Sequence, residues 1–372
     1  MSEPIDNIKQ TLDEPLANLE ESLIQYYEIP QLIRSSQNKL DEFQRQIQSL
    51  ESQVNINDEN HYEINELQEK IQEFIKKIEI LKNTSTRDDF VTTQGYDIHV
   101  ILMYTNKYHY GAYLCKDITW RVRELVGELL DKEVTQRKRD NVYIVLDTDG
   151  GDGLAAVQIY DILKKIFKHV NVIVADSAWS AGTIFSLCCN KILMLENALL
   201  GPIDSQIYLR DEELFQKSAH SYIDGVEHYL DLLMRKISNA PEKEAYLNAL
   251  KKLISPINIL DYGHCSNALN QVANIVAFRH RLHQDTPNDF YKVKNLIWNY
   301  FVSSGELFGH GYGLDAQFLR EDVEAFKNYI YEVKYENVLY KPILGIHNIM
   351  YNYIFQKVLP TYLLAHRRVY KF

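Results

Sequence analysis

The stretch "NVIVADSAWSAGTIF", Asn171 to Phe185, decides the fold. Its first half is a run of β-branched and small apolar residues, which suits a buried strand. Its second half starts at Ser180-Ala181-Gly182-Thr183 and continues apolar, which reads as a helix. A strand that turns directly into a helix is half of a βαβ unit, in which the next strand runs parallel to the first. The same grammar stands upstream. "NVYIVLDT", Asn141 to Thr148, is a short apolar run, followed by Asp149-Gly150-Gly151 and then by the amphipathic "LAAVQIYDILKKIFK". Before it come the strand-like "YDIHVILMYT" and the helically spaced "DITWRVRELVGELLDK", and after it the strand and turn "KILMLENALLG". The region from about 96 to 210 is therefore expected to be an α/β unit with a parallel sheet. Ligand sites in such sheets lie beyond the carboxyl ends of the strands, where both glycine-bearing turns fall.

Outward from this core the composition changes. Between Pro30 and Gly95 there is neither proline nor glycine. Leu40, Phe43, Ile47, Leu50 and Val54 step by threes and fours, as do Ile64, Leu67, Ile71, Phe74, Ile78 and Leu81. This spacing predicts two amphipathic helices, broken by the polar "NINDENH" at 55–61 and folded as a hairpin. The hairpin is either a pairing arm between subunits or a helical layer against the body. Beyond residue 210 the pattern is mostly helical, with "CSNALNQVANIVAFRHRL" and "FYKVKNLIWNYFV" as the best helices. The expected organisation is a helical, coiled-coil arm over 1–88, an α/β core over 89–325 and a helical extension over 326–372. The terminal "VLPTYLLAHRRVYKF" is read as a packed helix.

Composition narrows the function. The chain has 372 residues, 46% of them hydrophobic, and a formal net charge of −11. That charge argues against a nucleic-acid footprint, which shows as a basic face. Cys115, Cys188, Cys189 and Cys265 form no CxxC pair, and the vicinal two sit in an apolar run. This usage suits a reducing, cytoplasmic setting and carries no metal or cofactor signature. "MSEPIDNIKQ" has neither the basic nor the apolar region of a signal peptide, and no stretch is apolar enough to span a membrane.

The turns carry the chemistry. In "LDTDGGDG" the glycines allow close backbone approach, and their N–H groups can face a ligand. The pattern is neither GxGxxG nor GxxxxGK[ST], so a nucleotide is weakly supported. A pair of N–H groups meeting the negative oxygen of a tetrahedral intermediate is the alternative, and a plain tight turn the third reading. Ser180 opens the next helix, where free N–H groups and the helix dipole favour an oxyanion, and Ala181 N–H is a second donor beside Gly151. The competing reading of Ser180 is a helix N-cap. "LLGPIDSQI", Leu199 to Ile207, follows as a structured loop, in which Asp204 either caps a turn or orients a group in the site.

Taken in order, these residues resemble the serine dehydrogenase proteinase family, of the Clp-protease and crotonase superfold and related to signal peptide peptidase A. The family pattern, roughly T-P-G-G, S-A-G-T and G-P-I-D-P-Q-I, stands here as Thr148-Asp149-Gly150-Gly151, Ser180-Ala181-Gly182-Thr183 and Gly201-Pro202-Ile203-Asp204-Ser205-Gln206-Ile207. The likeness covers about 96 to 210, with a weaker echo at "FGHGYGLDAQFL". It implies a βαβ superhelix and a serine peptidase with Ser180 as nucleophile. It also implies an oxyanion hole at the Gly150-Gly151 turn and Ala181, a protein or peptide substrate, and assembly into a homo-oligomer. Asp149 and Ser205 depart from the family's prolines, and Asp149 adds negative charge beside the oxyanion turn.

The base is less plain. Clp-type relatives use Ser-His-Asp and signal peptide peptidase relatives Ser-Lys. Counting along this chain brings the Clp histidine's position to the "PIDSQ" loop, where Asp204 stands instead. Asp204 and His310, the latter flanked by Gly309 and Gly311, are the candidates for the base or its orientation. Lys217 and Lys236 are placed for a Ser-Lys dyad, and His220, His228 and His264 have less context. The alternatives to a peptidase are a catalytically inactive interaction scaffold and a crotonase-type acyl-CoA enzyme. The latter lacks a basic cluster for the CoA phosphates near these motifs.

Overall fold

Three parallel strands set the turns side by side. The computed structural model describes residues 3–51, 58–84, 98–105, 139–204, 206–208, 216–238, 259–279, 290–302, 313–321, 323–327, 329–357, 361–365 and 368–371, with positions 244, 247, 248 and 251. β1 (Ile98–Thr105), β2 (Arg139–Thr148), β3 (Phe167–Ala178) and β4 (Lys191–Leu195) run parallel in that order. Their central residues are buried on both faces, which explains the unbroken apolar runs: Val142 to Leu146 and Val172 to Val174 are all at most 1% exposed. α3 (Gly153–Ile166) joins β2 to β3, and α4 (Ala181–Cys188) joins β3 to β4. This is the α/β class with a parallel sheet that the alternation predicts. The helix expected at "DITWRVRELVGELLDK" lies outside the described residues.

β3 is the pivot. Its middle pairs with β4, but its last residues, Ser177 and Ala178, pair with the short β5 (Leu199–Leu200). The register against β2 slips between Leu146 and Thr148, so that Thr148 pairs with Ala178. β5 in turn pairs antiparallel with β8 (Leu314–Asp315). The carboxyl end of β3 is thus held by new partners just before Ser180.

The sheet has nine strands, ordered from one edge to the other as β11, β10, β1, β2, β3, β4 and β9, with β5 and β8 attached beside β3. β9 (Ile330–Val333) adds parallel to β4, while β10 (Thr361–Ala365) adds antiparallel to β1 and is followed by β11 (Arg368–Lys371). The region 326–372 is therefore not the helical extension expected, and "TYLLAHRRVYK" is a hairpin rather than a terminal helix. The reason is non-local. A central parallel sheet leaves two open edges, and these β-prone segments cover them. Between them α9 (Tyr340–Lys357) is the helix that remains of the expectation.

The N-terminal region is two helices, α1 (Glu3–Glu51) and α2 (Asp58–Thr84). Leu12, Leu16, Leu19 and Leu23 of α1 belong to the main core, so the first half of this helix is a layer on the body. Its second half meets α2, where Leu40, Ile64, Leu67 and Ile78 are buried and Phe43 and Phe74 meet edge to face at 5.7 Å. The layer reading thus describes the first half of α1, while its second half forms the expected hairpin with α2.

The remaining helices are α5 (Ala219–Ser238), α6 (Ile259–Arg279), α7 (Phe290–Ile297) and α8 (Ala316–Glu321). α7 widens at its end into a π-helical turn, Trp298–Val302. Arg279 of α6 forms a bidentate pair with Asp161 of α3, at 2.9 and 2.7 Å. No helix among the described residues is long and apolar enough to cross a membrane.

Candidate active site

The glycine turn after β2 is built by Thr148. Its Oγ1 accepts from Gly150 N at 3.0 Å, and Gly150 and Gly151 follow with φ of 117° and 138°. Those angles are strained for any residue with a Cβ. The space is also taken: a Cβ on Gly150 would stand 2.8 Å from the Ser180 Cβ and 2.9 Å from the Trp179 carbonyl oxygen. Gly151 is exposed, and Asp152 then caps α3 by accepting from Leu154 N and Ala155 N at 2.8 and 3.0 Å. Asp149 is half-buried at the end of β2.

The second turn is locked to the first. Trp179 N donates to the Thr148 carbonyl at 3.0 Å, so the chain leaving β3 is bonded to the chain leaving β2. Ser180 then takes φ 48° and ψ −110°, and among the described residues it alone, glycines aside, has positive φ. The competing cap reading fails on two counts. A capping serine has extended backbone and a hydroxyl bonded to the helix amides. Ser180 has neither the backbone nor the side-chain bond. Strain of this kind, about 1–3 kcal/mol, persists only where the surroundings impose it. Here the strained residue is a half-buried serine at the head of α4.

Ala181 is the first residue of α4, so its N–H has no acceptor inside the helix. Gly182 N bonds back to the Trp179 carbonyl at 2.8 Å, and Ile184 N to the Ser180 carbonyl at 3.0 Å. Thr183 Oγ1 lies 2.8 Å from the Ala178 carbonyl and 2.7 Å from that of Gly201, bridging the end of β3 to the Gly-Pro loop. Gly201 N returns a bond to the Ala178 carbonyl at 2.9 Å. A Cβ on Gly201 would fall 1.9 Å from the Trp179 ring. Gly150, Gly182 and Gly201 thus each mark a close contact between the motifs.

The loop runs on through Pro202 and Ile203, whose N–H donates to the Phe301 carbonyl in the π-helical turn at 2.7 Å. Asp204 is half-buried, and its Oδ1 lies 3.5 Å from His220 N. That amide belongs to the first turn of α5, where Ser221 N donates to Ser218 Oγ at 2.9 Å. Asp204 therefore serves the amino end of a neighbouring helix, the capping role that its sequence context favours.

His220, one of the histidines with less context in the sequence, is the residue whose amide meets Asp204. Its ring is buried, and Nδ1 lies 3.1 Å from Asp224 Oδ1 one turn along α5. The signal was present as His220 and Asp224 at i and i+4 after a Ser218 cap, but nothing local tied that pair to Asp204. Lys217 lies in β7 (Gln216–Ser218), and Lys236 in α5. His310 lies outside the described residues, although nearby Leu314 and Asp315 pair with Leu200 and Leu199 at the entry of the loop.

The cysteines among the described residues offer no rival nucleophile. Burial pushes the Cys188 thiol up to about 12, with Arg279 opposing it. Burial, then the Asp261 and Asp204 charges, raises the Cys265 thiol to about 11. Thiols held protonated at neutral pH are inert. No group of three metal-ligating side chains occurs among the described residues.

Comparison with known proteins agrees with the motifs. Two uncharacterized proteins of Methanocaldococcus jannaschii are 45% and 38% identical over 64 residues, a stretch covering 17% of this chain and 22% of each relative. The chain thus matches about a fifth of the length of these curated relatives. Among solved structures, a membrane-bound stomatin-specific protease mutant in complex with a substrate peptide is 16% identical. That likeness covers 35% of this chain and 57% of that one, with a TM-score of 0.26. A probable enoyl-CoA hydratase/isomerase from Mycobacterium abscessus is 10% identical, over 55% and 86%, with a TM-score of 0.22. Residues 128–227, the stretch that holds both glycine turns, Ser180 and the Gly-Pro loop, match the model of the ClpP-like SDH-type serine proteinases.

Proposed function

We propose that the protein is a serine peptidase in which Ser180 attacks the carbonyl carbon of a peptide bond. The observation that carries this reading is the Ser180 backbone, at φ 48° with no capping bond, wedged against Gly150 at the head of α4. In the reaction Ser180 Oγ bonds to the carbonyl carbon, and the oxygen becomes negative. Gly151 N–H, on the exposed glycine turn, and Ala181 N–H, at the positive end of α4, supply the two donors for that oxygen. The tetrahedral intermediate collapses to an acyl-enzyme as the amine leaves, and water then releases the acid.

The substrate is a protein or peptide, and the chain assembles as a homo-oligomer. Ser180→Ala is expected to abolish peptide hydrolysis and fluorophosphonate labelling while circular dichroism stays unchanged. Labelling that persists in the variant removes Ser180 as nucleophile. Wild-type protein that is folded but unlabelled favours the inactive scaffold instead.

A further inference from the structure

The three segments that build the Ser180 elbow carry charge of one sign. Residues 146–154, 174–184 and 199–204 hold five aspartates and no lysine, arginine or histidine. Two of the five serve helix ends: Asp152 caps α3, and Asp204 lies beside the His220 amide. The other three, Asp147, Asp149 and Asp176, stand at the carboxyl ends of β2 and β3, where the glycine turn and Ser180 follow.

The register slip between β2 and β3 re-aims one of them. From Leu146 to Thr148 β2 advances two residues, while β3 advances four, from Val174 to Ala178. The excess residues bulge, and a bulge next to a site turns a side chain out of the sheet's alternation. Asp176 lies in that bulge and is exposed, with Ser177 Oγ donating to its Oδ2 at 3.4 Å. A carboxylate has about four acceptor positions, so it takes further donors beside this one. Asp147, by contrast, is buried. It pairs in register with Tyr104 of β1, so the two side chains share one face of the sheet. Tyr104 is 1% exposed, and its Oη has no hydrogen-bond partner among the described residues. Burial, then the charges of Asp147 and Asp176, push the Tyr104 phenol up, so it stays protonated. The His347 ring of α9 lies 6.0 Å from the Tyr104 ring, and its buried Nδ1 likewise has no partner among the described residues. Buried polar atoms of this kind are costly until a polar guest meets them. The carboxylates beside them set the sign of that guest.

We propose that Asp149 and Asp176, with the buried Asp147 and Tyr104 hydroxyl, form an acidic ledge that selects peptides carrying a lysine or arginine side chain close to the scissile bond. This rests on the peptidase reading and names its substrate class. Asp176 is four residues before Ser180 and Asp149 two before Gly151, chain spans of at most about 14 and 7 Å. An extended substrate advances about 3.3 Å per residue, so a long cationic side chain within about three residues of the cut reaches the ledge. Among the described residues no three metal-ligating side chains converge on one point. Carboxylates spread along two strand ends suit an ammonium or guanidinium on a flexible stem rather than a bare metal ion. Asp149 gives the selection a second part. Its charge stands next to the turn that stabilises the oxyanion, so with a neutral substrate it opposes the transition state. A substrate cation beside it offsets that charge, most of all once the oxyanion has formed.

The test starts from digestion of a proteome-derived peptide library, with the cuts read by mass spectrometry. Lysine and arginine are expected to be enriched within about three residues of the cut. Peptides made from the best cut, with the basic residue kept or replaced by norleucine or glutamate, then give kcat and KM. The basic peptide is expected to lead the norleucine one by about tenfold in kcat/KM, as one charge pair at a partly exposed site does, and the lead to shrink in about 0.5 M salt. Asp176→Asn is expected to remove most of the lead through KM, and Asp149→Asn to raise kcat for the norleucine peptide. Asp176→Lys is expected to turn the preference toward glutamate. Each ratio is taken within one protein, so a general loss of activity does not alter it. Where a variant does not fold, the salt dependence of the wild-type lead decides, and a lead that salt leaves unchanged overturns the ledge. Cuts without basic enrichment, or a lead that survives in both folded asparagine variants, overturn it as well. So does a protein that takes the fluorophosphonate label and cuts none of the library. Folded wild type that takes no label fails at the nucleophile instead, so the two failures are distinct.

Discussion

The elbow and the pocket of His220 are built by different means. At the elbow the backbone does the positioning. Thr148, Gly150, Trp179, Gly182 and Gly201 meet through main-chain bonds and through contacts that leave no space for a Cβ. At the pocket a histidine, two aspartates and a helix end meet through side chains, at 3.1 and 3.5 Å. The first arrangement is rigid and tolerates no change of size. The second tolerates changes of size but not of charge or donor. Variants at the elbow should therefore lower stability and labelling together.

The hardest blow to the elbow comes from Gly201→Ala. The new Cβ would lie 1.9 Å from Trp179 Cε3 and 2.6 Å from Cδ2, so the ring or the loop must move. Overpacking usually costs about 1–3 kcal/mol, and a rigid aromatic ring puts this variant at about 3 kcal/mol or above. Moving the elbow by about 1 Å would also slow labelling by about a hundredfold. A denaturant titration beside a labelling time course checks both. An unchanged midpoint would break the contrast, since it would mean that the elbow yields as a side-chain pocket does.

This contrast also explains what was legible in the sequence. Ser180, Gly151 and Ala181 lie on strand–turn–helix segments, whose pattern is local and whose small residues mark tight contacts. The contact of His220 N with Asp204 was not legible, because it is set by two three-residue strands and joins residues sixteen apart in the chain. Asp204 was read either as a turn cap or as part of the base, and its contact with the His220 amide belongs to a helix sixteen residues later. The edge strands β9 and β10 escaped for a similar reason. They are short, they sit beside helices in the chain, and their strand character comes from the open edges of β4 and β1 that they cover.

A middle case is Thr183→Val, which keeps the shape and removes the hydroxyl between Ala178 and Gly201. The Ala178 carbonyl keeps its bond from Gly201 N, but the Gly201 carbonyl is left buried without the hydroxyl. The expected cost is about 1–3 kcal/mol, the usual penalty for stranding a buried acceptor. Labelling should slow by no more than about tenfold, because the main-chain bonds of the elbow remain. A hundredfold loss with no change in stability would place Thr183 in the reaction rather than in the frame.

The mildest change is Asp152→Ala, which leaves Leu154 N and Ala155 N at the start of α3 without their carboxylate. Loss of an N-cap costs about 1 kcal/mol. Water can reach Leu154, which is 51% exposed, so the penalty should sit at the low end of that scale. The glycine turn is fixed from its other side by Thr148 and by the contact of Gly150 with Ser180, and neither depends on the cap. The labelling rate should therefore stay within about threefold of wild type while the unfolding midpoint drops slightly. A large loss of labelling here would show that α3 helps to hold Gly151 in place, and the rigid region would then extend one helix farther than the two turns.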